Sequence, residues 1–380
     1  MRTLNNKAVI IGAGQIGRGF IGQVLSDSGY SLLFVDVQKE IVDLINEAGE
    51  YQVIMLDDEH RPKTVAGIRA VCFSSVDAPR EIAGADIIAT ACGPNNIQNA
   101  ASFVAAGIRE RIARGNTLPL NIIACENMAN GTEQLRKYVY ELLAPGEIAF
   151  CDNNIGFPNC EVSRLVVPDV NIPPLAVKVE KYMEWIIDRG KTKGDLSGIH
   201  GLILSDHVDA YIARKIFSLT GHAMLGFMGY AAGYKYIWEA VYDHDVFRRV
   251  YGALEECGRA WSIQYGLPLN EFMEYSSLML VRFADQRIND PVTRPARDPI
   301  RKLSASERFF KPALTALAND IDPVNIIKGI RAVCGYDYPD DPEAVLLQRM
   351  IREKGPLLAL SEISGLAPEH PLIADIIGDE

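Results

Sequence analysis

The fold of this chain is decided near its start by the stretch Lys7-Ala-Val-Ile-Ile-Gly12-Ala-Gly14-Gln-Ile-Gly17. The apolar run at residues 8–11 predicts a buried strand, which breaks into a turn and then a helix. In such a unit Gly12 permits the tight turn, Gly14 lets a pyrophosphate approach the backbone, and Gly17 lets the helix pack on the strand. The stretch therefore predicts a dinucleotide-binding loop.

The residues around this loop supply the other parts of a dinucleotide site. Gln15 and Ile16 open the helix, whose free N–H groups and partial positive charge favour phosphate oxygens. A second apolar run at residues 31–35 ends in Asp36. This acid follows Gly17 by about 20 residues, the spacing of a carboxylate that binds the adenosine ribose. A glycine turn and a surface acid could occur separately, but here all parts stand in the required order, and we expect NAD as the cofactor.

Strands and helices alternate to about residue 195, which predicts a doubly wound parallel sheet. We therefore expect a Rossmann-type NAD-binding domain in residues 1–195. One strand leads into Gly93-Pro94, where a cofactor would lie at the carboxyl edge of the sheet. Residues 51–56 and 71–75 are expected to flank a polar loop at residues 57–63 in a small antiparallel excursion. The further strands are expected at residues 85–90, 120–124, 148–152 and 163–167.

Residues 196–380 show helical spacing of apolar residues and little sign of strands. A chain of 380 residues can form two hydrophobic cores, so we expect a second, mostly α-helical domain with the substrate and catalytic groups. The expected helices are residues 206–219, 223–232, 246–265, 270–283, 312–318, 326–333, 342–354 and 357–363.

Composition limits the class of protein. The net charge of −11 argues against a nucleic-acid surface. The chain has neither an apolar run of about 20 residues nor a signal-peptide pattern, so we expect a cytoplasmic protein that binds no membrane. Its seven cysteines are scattered, and neither C-x-x-C nor H-E-x-x-H occurs. We therefore expect reduced thiols and no catalytic metal.

Lys215 and His222 are candidates for catalysis. Seven residues apart, they share one face if a helix runs through Gly221, although that glycine could also end the helix. A lysine whose pKa is lowered from about 10.4 can take the hydroxyl proton during alcohol oxidation. From the residues alone, a solvated lysine and a core histidine are the simpler interpretation.

Asn127 follows the strand expected at residues 120–124. There its amide could contact the cofactor or stabilise an alkoxide at the carboxyl edge of the sheet. A turn or capping asparagine is an equally simple interpretation.

Residues 294–311 form a basic segment, with six basic and two acidic side chains in an acidic chain. Arginine and lysine suit the oxygens of a phosphate or carboxylate, so the segment could bind an anionic substrate. It could also be a solvated loop that pairs with acidic neighbours. The candidate substrate-binding residues are Arg301, Lys302, Arg308 and Lys311.

Together these motifs resemble the polyol-specific long-chain dehydrogenase/reductase family, and within it the mannitol-1-phosphate 5-dehydrogenases. The likeness extends along nearly the whole chain. It is carried by residues 12–22, by residues 119–128, by Arg214-Lys215 with Gly221-His222, and by Arg301-Lys-Leu-Ser304 with Arg308 and Lys311-Pro312.

The resemblance implies a metal-independent, NAD-linked enzyme that interconverts a hexitol phosphate and a ketose phosphate, namely mannitol 1-phosphate and fructose 6-phosphate. It implies that Lys215 is the base, Asn127 an alkoxide-binding amide and His222 a substrate-orienting group. The family signature Lys-x4-Asn-x2-His is altered here, because Thr220 replaces the asparagine and His222 comes one residue early. The hydroxyl of Thr220, that of Ser218 or a water could take over the missing role.

Two other functions are consistent with these residues. The changes around Lys215 would suit a relative that acts on another anionic polyol or on a hexuronate. A non-catalytic paralogue could instead bind NAD and a sugar phosphate as a sensor. In each case the partner is a small polyol or sugar phosphate, and the sequence does not predict an oligomeric state.

Overall fold

The structure, a computed structural model, describes residues 6–56, 61–76, 78–128, 130–167 and 169–378. The chain divides into two compact units between Tyr211 and Ile212. The sequence predicts the domain boundary after residue 195, whereas strand Leu202–Ser205 still belongs to a sheet of unit 1.

Strands alternate with helices in the first part of unit 1, as predicted. Its strands are β1 (Lys7–Ile11), β2 (Ser31–Asp36), β3 (Glu50–Met55), β4 (Lys63–Ala66), β5 (Arg69–Cys72), β6 (Ile87–Thr90), β7 (Leu120–Ala124), β8 (Ile155–Gly156), β9 (Cys160–Ser163), β10 (Val166–Val167), β11 (Val177–Val179), β12 (Glu184–Asp188) and β13 (Leu202–Ser205). Its helices are α1 (Gln23–Asp27), α2 (Lys39–Ala48), α3 (Ala78–Ile82), α4 (Ile97–Ala113), α5 (Gly131–Leu142) and α6 (Pro145–Asn154).

The central sheet of unit 1 has six strands in the order β5-β2-β1-β6-β7-β8. All its neighbouring strands are parallel. Numbered along the chain, this is the order 3-2-1-4-5-6 of a doubly wound dinucleotide-binding sheet. The order reverses at β1 and β6, so a crevice is expected beyond their carboxyl ends. The predicted Rossmann-type fold is confirmed.

Both faces of this sheet are covered by apolar side chains. In β1, Ala8 and Ile10 belong to one buried cluster, and Val9 and Ile11 belong to the other. Successive strand residues point to opposite faces, so a strand buried on both sides has a continuous apolar sequence. This is why the run at residues 8–11 identifies a central parallel strand.

Two expectations for unit 1 are wrong. Residues 148–152 lie in α6 and not in a strand, because Pro145 starts a helix and the Glu147 carboxylate accepts a hydrogen bond from the Ala144 N–H at 2.8 Å. The antiparallel partner of β3 is β4, while β5 joins the edge of the parallel sheet beside β2. Residues 57–60 of the expected polar loop lie outside the described residues.

Unit 2 is helical, as predicted. Helix α7 (Val208–Ala231) contains the division between the units and runs through Gly221, so two expected helices are one. A Cβ at Gly221 would stand 3.0 Å from the Leu254 side chain, which explains a glycine inside this helix. No helix among the described residues is long and apolar enough to cross a bilayer. The others are α8 (Ile237–Tyr242), α9 (His244–Tyr265), α10 (Leu269–Phe283), α11 (Thr293–Ala296), α12 (Pro299–Lys302), α13 (Phe310–Leu317), α14 (Val324–Cys334), α15 (Pro342–Ser364) and α16 (Pro371–Ile377).

Candidate active site

The glycine loop of unit 1 has the geometry that its sequence predicts. Gly12 has φ +108°, and a Cβ there would stand 2.5 Å from the carbonyl oxygen of Ala91. A Cβ at Gly17 would be 2.0 Å from the carbonyl oxygen of Gly12. In contrast, nothing lies within 4 Å of a Cβ built on Gly14. The outer glycines therefore serve packing, and the middle one leaves the backbone open to a ligand.

The helix after the loop starts at Gln15 and Ile16 and forms a wide π-helical segment at Gly17–Gly22. Arg18 is buried in this segment and donates hydrogen bonds to the carbonyl oxygens of Ala13 and Leu175. These bonds connect the loop to the body of unit 1. The first helical N–H groups are thus held at the edge of the sheet where phosphates bind in such folds.

Asp36 lies at the end of β2 and is bonded to the loop. Its Oδ2 accepts a hydrogen bond from the Ala13 N–H at 2.7 Å, and its Oδ1 accepts one from the Gln38 N–H at 3.0 Å. A carboxylate has about four acceptor positions, so capacity for a ribose hydroxyl remains. The nearest basic side chain along the chain, Lys39, forms an ion pair with Asp43.

A cleft of about 420 Å³ lies at this edge of the sheet, with Gly12, Gly14 and Asp36 in its walls. Gly93, with φ +90°, and Pro94 follow β6 and lead through a short 3-10 turn into α4. Of this second segment, Cys92 and Asn96 reach the cleft. The cleft walls therefore come from the ends of β1, β2 and β6, where a doubly wound sheet binds its ligand.

Asn127 is exposed just beyond the carboxyl end of β7. Its neighbour Glu126 is buried and accepts hydrogen bonds from Thr90 Oγ1 at 2.7 Å and from the Cys92 N–H at 3.1 Å. Glu126 thus connects the ends of β6 and β7 and holds the segment that carries Asn127. No motif in the sequence predicts this role of Glu126, although it directly precedes the candidate residue Asn127.

In unit 2, the continuous helix α7 places Lys215 and His222 two turns apart on one face. Lys215 is half-buried, and His222 is buried. The His222 Nε2 atom lies 3.2 Å from Asp290 Oδ2, and its ring stacks on Phe283 with a centroid distance of 4.1 Å. Burial lowers the pKa of His222, although Asp290 opposes the shift.

The hydroxyl groups expected to replace the missing asparagine are already engaged. Thr220 is fully buried, and its Oγ1 donates a hydrogen bond to the carbonyl oxygen of Arg308. Ser218 Oγ lies 3.0 Å from Ser276 Oγ, and both residues are buried. Thr220 Oγ1 cannot donate to an alkoxide without giving up its bond to the Arg308 carbonyl, whereas in the buried Ser218–Ser276 pair either hydroxyl can be the donor. The structure therefore does not support Thr220 as the substitute, and the role of Ser218 stays a prediction.

The cationic side chains of the basic segment differ in burial and in ion pairing. Arg301 donates a hydrogen bond to Glu307 at 3.0 Å and lies 3.6 Å from Asp298, so acidic neighbours pair with it. Arg308 lies 3.7 Å from Glu307, and its side chain is 17% exposed. Lys311 is half-buried at the start of α13.

Lys302 differs from the other cations of the segment. The residue is 2% exposed, and its ammonium group has no hydrogen bond or ion pair within the described parts of the chain. Burial, together with the nearby charges of Arg308 and Arg301, lowers the pKa of Lys302 to about 7. The same Arg308 charge acts on His222, so the four side chains belong to one electrostatic cluster of unit 2.

The sheet order, the glycine loop and the cleft define a dinucleotide-binding protein of the Rossmann type with a helical second domain. Residues 6–200 match the family description "Mannitol dehydrogenase Rossmann domain", and residues 207–370 match "Mannitol dehydrogenase C-terminal domain". The chain therefore belongs to the mannitol dehydrogenase family, a family of NAD-dependent polyol dehydrogenases.

Solved structures share this fold at low sequence identity. Pseudomonas fluorescens mannitol 2-dehydrogenase, in a ternary complex with NAD and D-mannitol, is 17% identical with a TM-score of 0.73, and the match covers 98% of this chain and 91% of that one. A D-sorbitol dehydrogenase in substrate-free form is 15% identical with a TM-score of 0.75, over 94% of this chain and 95% of that one. D-mandelate dehydrogenase with NADH is 14% identical with a TM-score of 0.51, over 87% and 98%.

Proposed function

We propose that this protein is an NAD-dependent dehydrogenase that interconverts mannitol 1-phosphate and fructose 6-phosphate. The observation that carries the proposal is Lys302, a residue 2% exposed whose ammonium group makes no hydrogen bond or ion pair within the described residues. A buried, unpaired charge destabilises a fold, so such a group is expected where an anionic ligand pairs with it. The nearby Arg308 would supply a second donor, and a phosphate has enough oxygens for both.

The residues of unit 1 fit NAD. The open backbone at Gly14 and the helix that starts at Gln15 and Ile16 would hold the pyrophosphate, with Gly93 and Pro94 on the second segment of the site. Asp36 would bind the adenosine ribose, and its negative charge would disfavour the extra phosphate of NADP. When bound, NAD accepts or supplies the hydride.

The protein side chains would handle the proton and the oxygen atoms. We assign Lys215 as the base that takes the hydroxyl proton when the alcohol is oxidised, which requires a neutral amine. The Asn127 amide would donate a hydrogen bond to the alkoxide oxygen, and His222 would orient the substrate. In the reverse direction Lys215 would return the proton to the new hydroxyl group.

A second candidate is the oxidation of another anionic polyol or the reduction of a hexuronate. The observation that favours it is the hydrogen bond from the Thr220 hydroxyl to the Arg308 carbonyl oxygen. Because of this bond, the asparagine of the family signature has no replacement at that position. A carboxylate would also pair with Lys302. The same catalytic groups would serve this reaction, so the two candidates differ only in the anion and the sugar that it carries.

A substrate panel separates these candidates. Mannitol 1-phosphate, fructose 6-phosphate, free mannitol, free fructose and hexuronates are assayed with NAD or NADH by following NADH absorbance. The proposal predicts the highest kcat/KM for the phosphorylated pair and a loss of activity after phosphatase treatment of the substrate. Equal kcat/KM for free mannitol would contradict it, and preference for a hexuronate would establish the second candidate. NADH binding without turnover of any substrate would indicate a sensor.

A further inference from the structure

The His222 ring is fixed on two sides by its neighbours in unit 2. Its Nε2 atom faces Asp290 at 3.2 Å, and its plane stacks on Phe283 at an interplanar angle of 8°. The two contacts together leave the ring one orientation. The other ring nitrogen, Nδ1, makes no hydrogen bond within the part of the chain that the structure describes.

Asp290 is itself held as an anion. Arg294, four residues later, donates hydrogen bonds to both carboxylate oxygens. Burial alone would raise the pKa of Asp290, but the hydrogen bonds from Arg294 and His222 outweigh it and lower the pKa. An ionised carboxylate only accepts hydrogen bonds. The nitrogen that faces it must therefore carry a hydrogen.

The same contacts determine the charge of the ring. Burial has the largest effect on His222 and disfavours the protonated ring, Asp290 favours it, and the charges of Arg294 and Arg308 disfavour it. Burial adds to the effect of the two arginines, so the pKa of His222 is lowered and the ring is neutral at pH 7. A neutral imidazole has one donor nitrogen and one acceptor nitrogen. With the hydrogen on Nε2, the acceptor is Nδ1.

We propose that Asp290, held by Arg294, is a positioning residue that fixes His222 as the Nε2–H tautomer and makes Nδ1 the acceptor for a substrate hydroxyl. The role of this hydroxyl contact rests on the proposed function, whereas the tautomer itself does not. A polyol hydroxyl donates its hydrogen to Nδ1, so His222 orients the substrate without exchanging a proton with it. The Phe283 stack keeps Nδ1 in one plane, which makes the contact directional.

The tautomer is measured on the whole protein without substrate. Long-range 1H–15N spectra distinguish Nε2–H, Nδ1–H and charged imidazoles, and the chain contains only six histidines. The His222 signals are assigned by their loss in His222→Gln. We expect the Nε2–H tautomer between pH 7 and 8. An Nδ1–H or charged ring in the unmodified protein would overturn the proposal without any assay of activity.

Asp290→Asn tests whether Asp290 fixes the tautomer of His222. The asparagine oxygen would turn towards Arg294, and its amide would donate to Nε2, which moves the ring hydrogen to Nδ1. We expect KM for the polyol phosphate to rise between about twofold and tenfold, as for one lost neutral hydrogen bond of 0.5–1.5 kcal/mol. The dissociation constant of NADH should be unchanged.

Asp285→Asn is the matched control, because Asp285 pairs with Arg287 and not with a histidine. It should change neither the tautomer nor KM. An unchanged His222 tautomer in Asp290→Asn would refute the positioning role. A protein that shows the Nε2–H tautomer but turns over no polyol phosphate would disprove the proposed function and leave the tautomer assignment intact.

Discussion

Lys302→Met removes the ammonium group of this buried residue and keeps an unbranched side chain that can fill the same space. If Lys302 binds the substrate phosphate, the variant loses one charge-assisted hydrogen bond, which contributes about 1.5–3 kcal/mol. KM for mannitol 1-phosphate should therefore rise by roughly 10- to 150-fold. KM for free mannitol should change less than about twofold, because that substrate has no phosphate to lose a contact.

The same substitution should stabilise the protein, and the effect should depend on pH. The pKa of Lys302 is lowered from 10.5 to about 7 in the fold. As the pH falls from about 10.5 to 7, the unfolded chain binds a proton that the folded chain does not, so the native protein loses stability. Lys302→Met removes this loss. Its gain in the free energy of unfolding should be a few kcal/mol at pH 7 and should vanish near pH 10.5.

Two measurements and one control test this reasoning. Steady-state kinetics with phosphorylated and free substrate give the two KM values, and urea unfolding at several pH values gives the stability. Lys328→Met is the control, since it removes a half-buried lysine of α14 in the same unit outside the basic segment. It should not affect the ratio of the two KM values.

The unmodified protein adds a pH test. Phosphate binding requires the protonated ammonium group, so KM for mannitol 1-phosphate should rise with pH above about 7. This rise of KM with pH should be absent in Lys302→Met. A variant whose KM for the phosphorylated substrate stays within about twofold of the original would refute the anion site, as would an equal rise in KM for free mannitol.

Three further predictions concern the other assigned residues. Asp36→Ala should narrow the preference for NAD over NADP, and equal kcat/KM with both cofactors in the unmodified protein would rule out the role of this carboxylate. Lys215→Ala should lose several orders of magnitude in kcat while NADH binding is kept, and retention of most activity would disprove its assignment as the base. Asn127→Ala should lose nearly as much kcat, since one hydrogen-bond donor to an oxyanion contributes about 2.7–4 kcal/mol. Arg308→Ala should raise KM for the phosphorylated substrate roughly tenfold or more and leave free mannitol little affected, and a similar loss with both substrates would show that the residue does not bind phosphate.

The sequence alone determined the central parallel sheet of unit 1 and its candidate ligand cleft. Gly12, Gly14, Gly17 and Asp36 are informative because their spacing is set by local geometry: a tight turn, an open backbone and a helix packed on its own strand. The continuous apolar run of β1 identifies a strand buried on both faces for the same local reason. Such features depend mainly on residues close in the chain, so they can be predicted from one sequence.

Short apolar runs are less informative. Residues 148–152 fit a buried strand as well as a helix, because a run of this length shows no clear period. The deciding signals are Pro145 and Glu147, which lie outside the run and stabilise the start of α6. Similarly, Gly221 is compatible with a helix end, yet α7 continues through it, and the Leu254 side chain packs where a Cβ would stand.

The chemistry of the candidate site depends on contacts between residues far apart in the chain. The Thr220 hydroxyl is engaged by Arg308, and His222 is fixed by Asp290. Lys302 belongs to a basic segment in which Arg301 is paired with acids, yet Lys302 itself is buried without a partner among the described residues. Charge and residue type could not distinguish these states, because burial and pairing arise only when the helices of unit 2 pack together. The sequence shows which groups are available, and the tertiary structure decides which of them are free to bind a substrate.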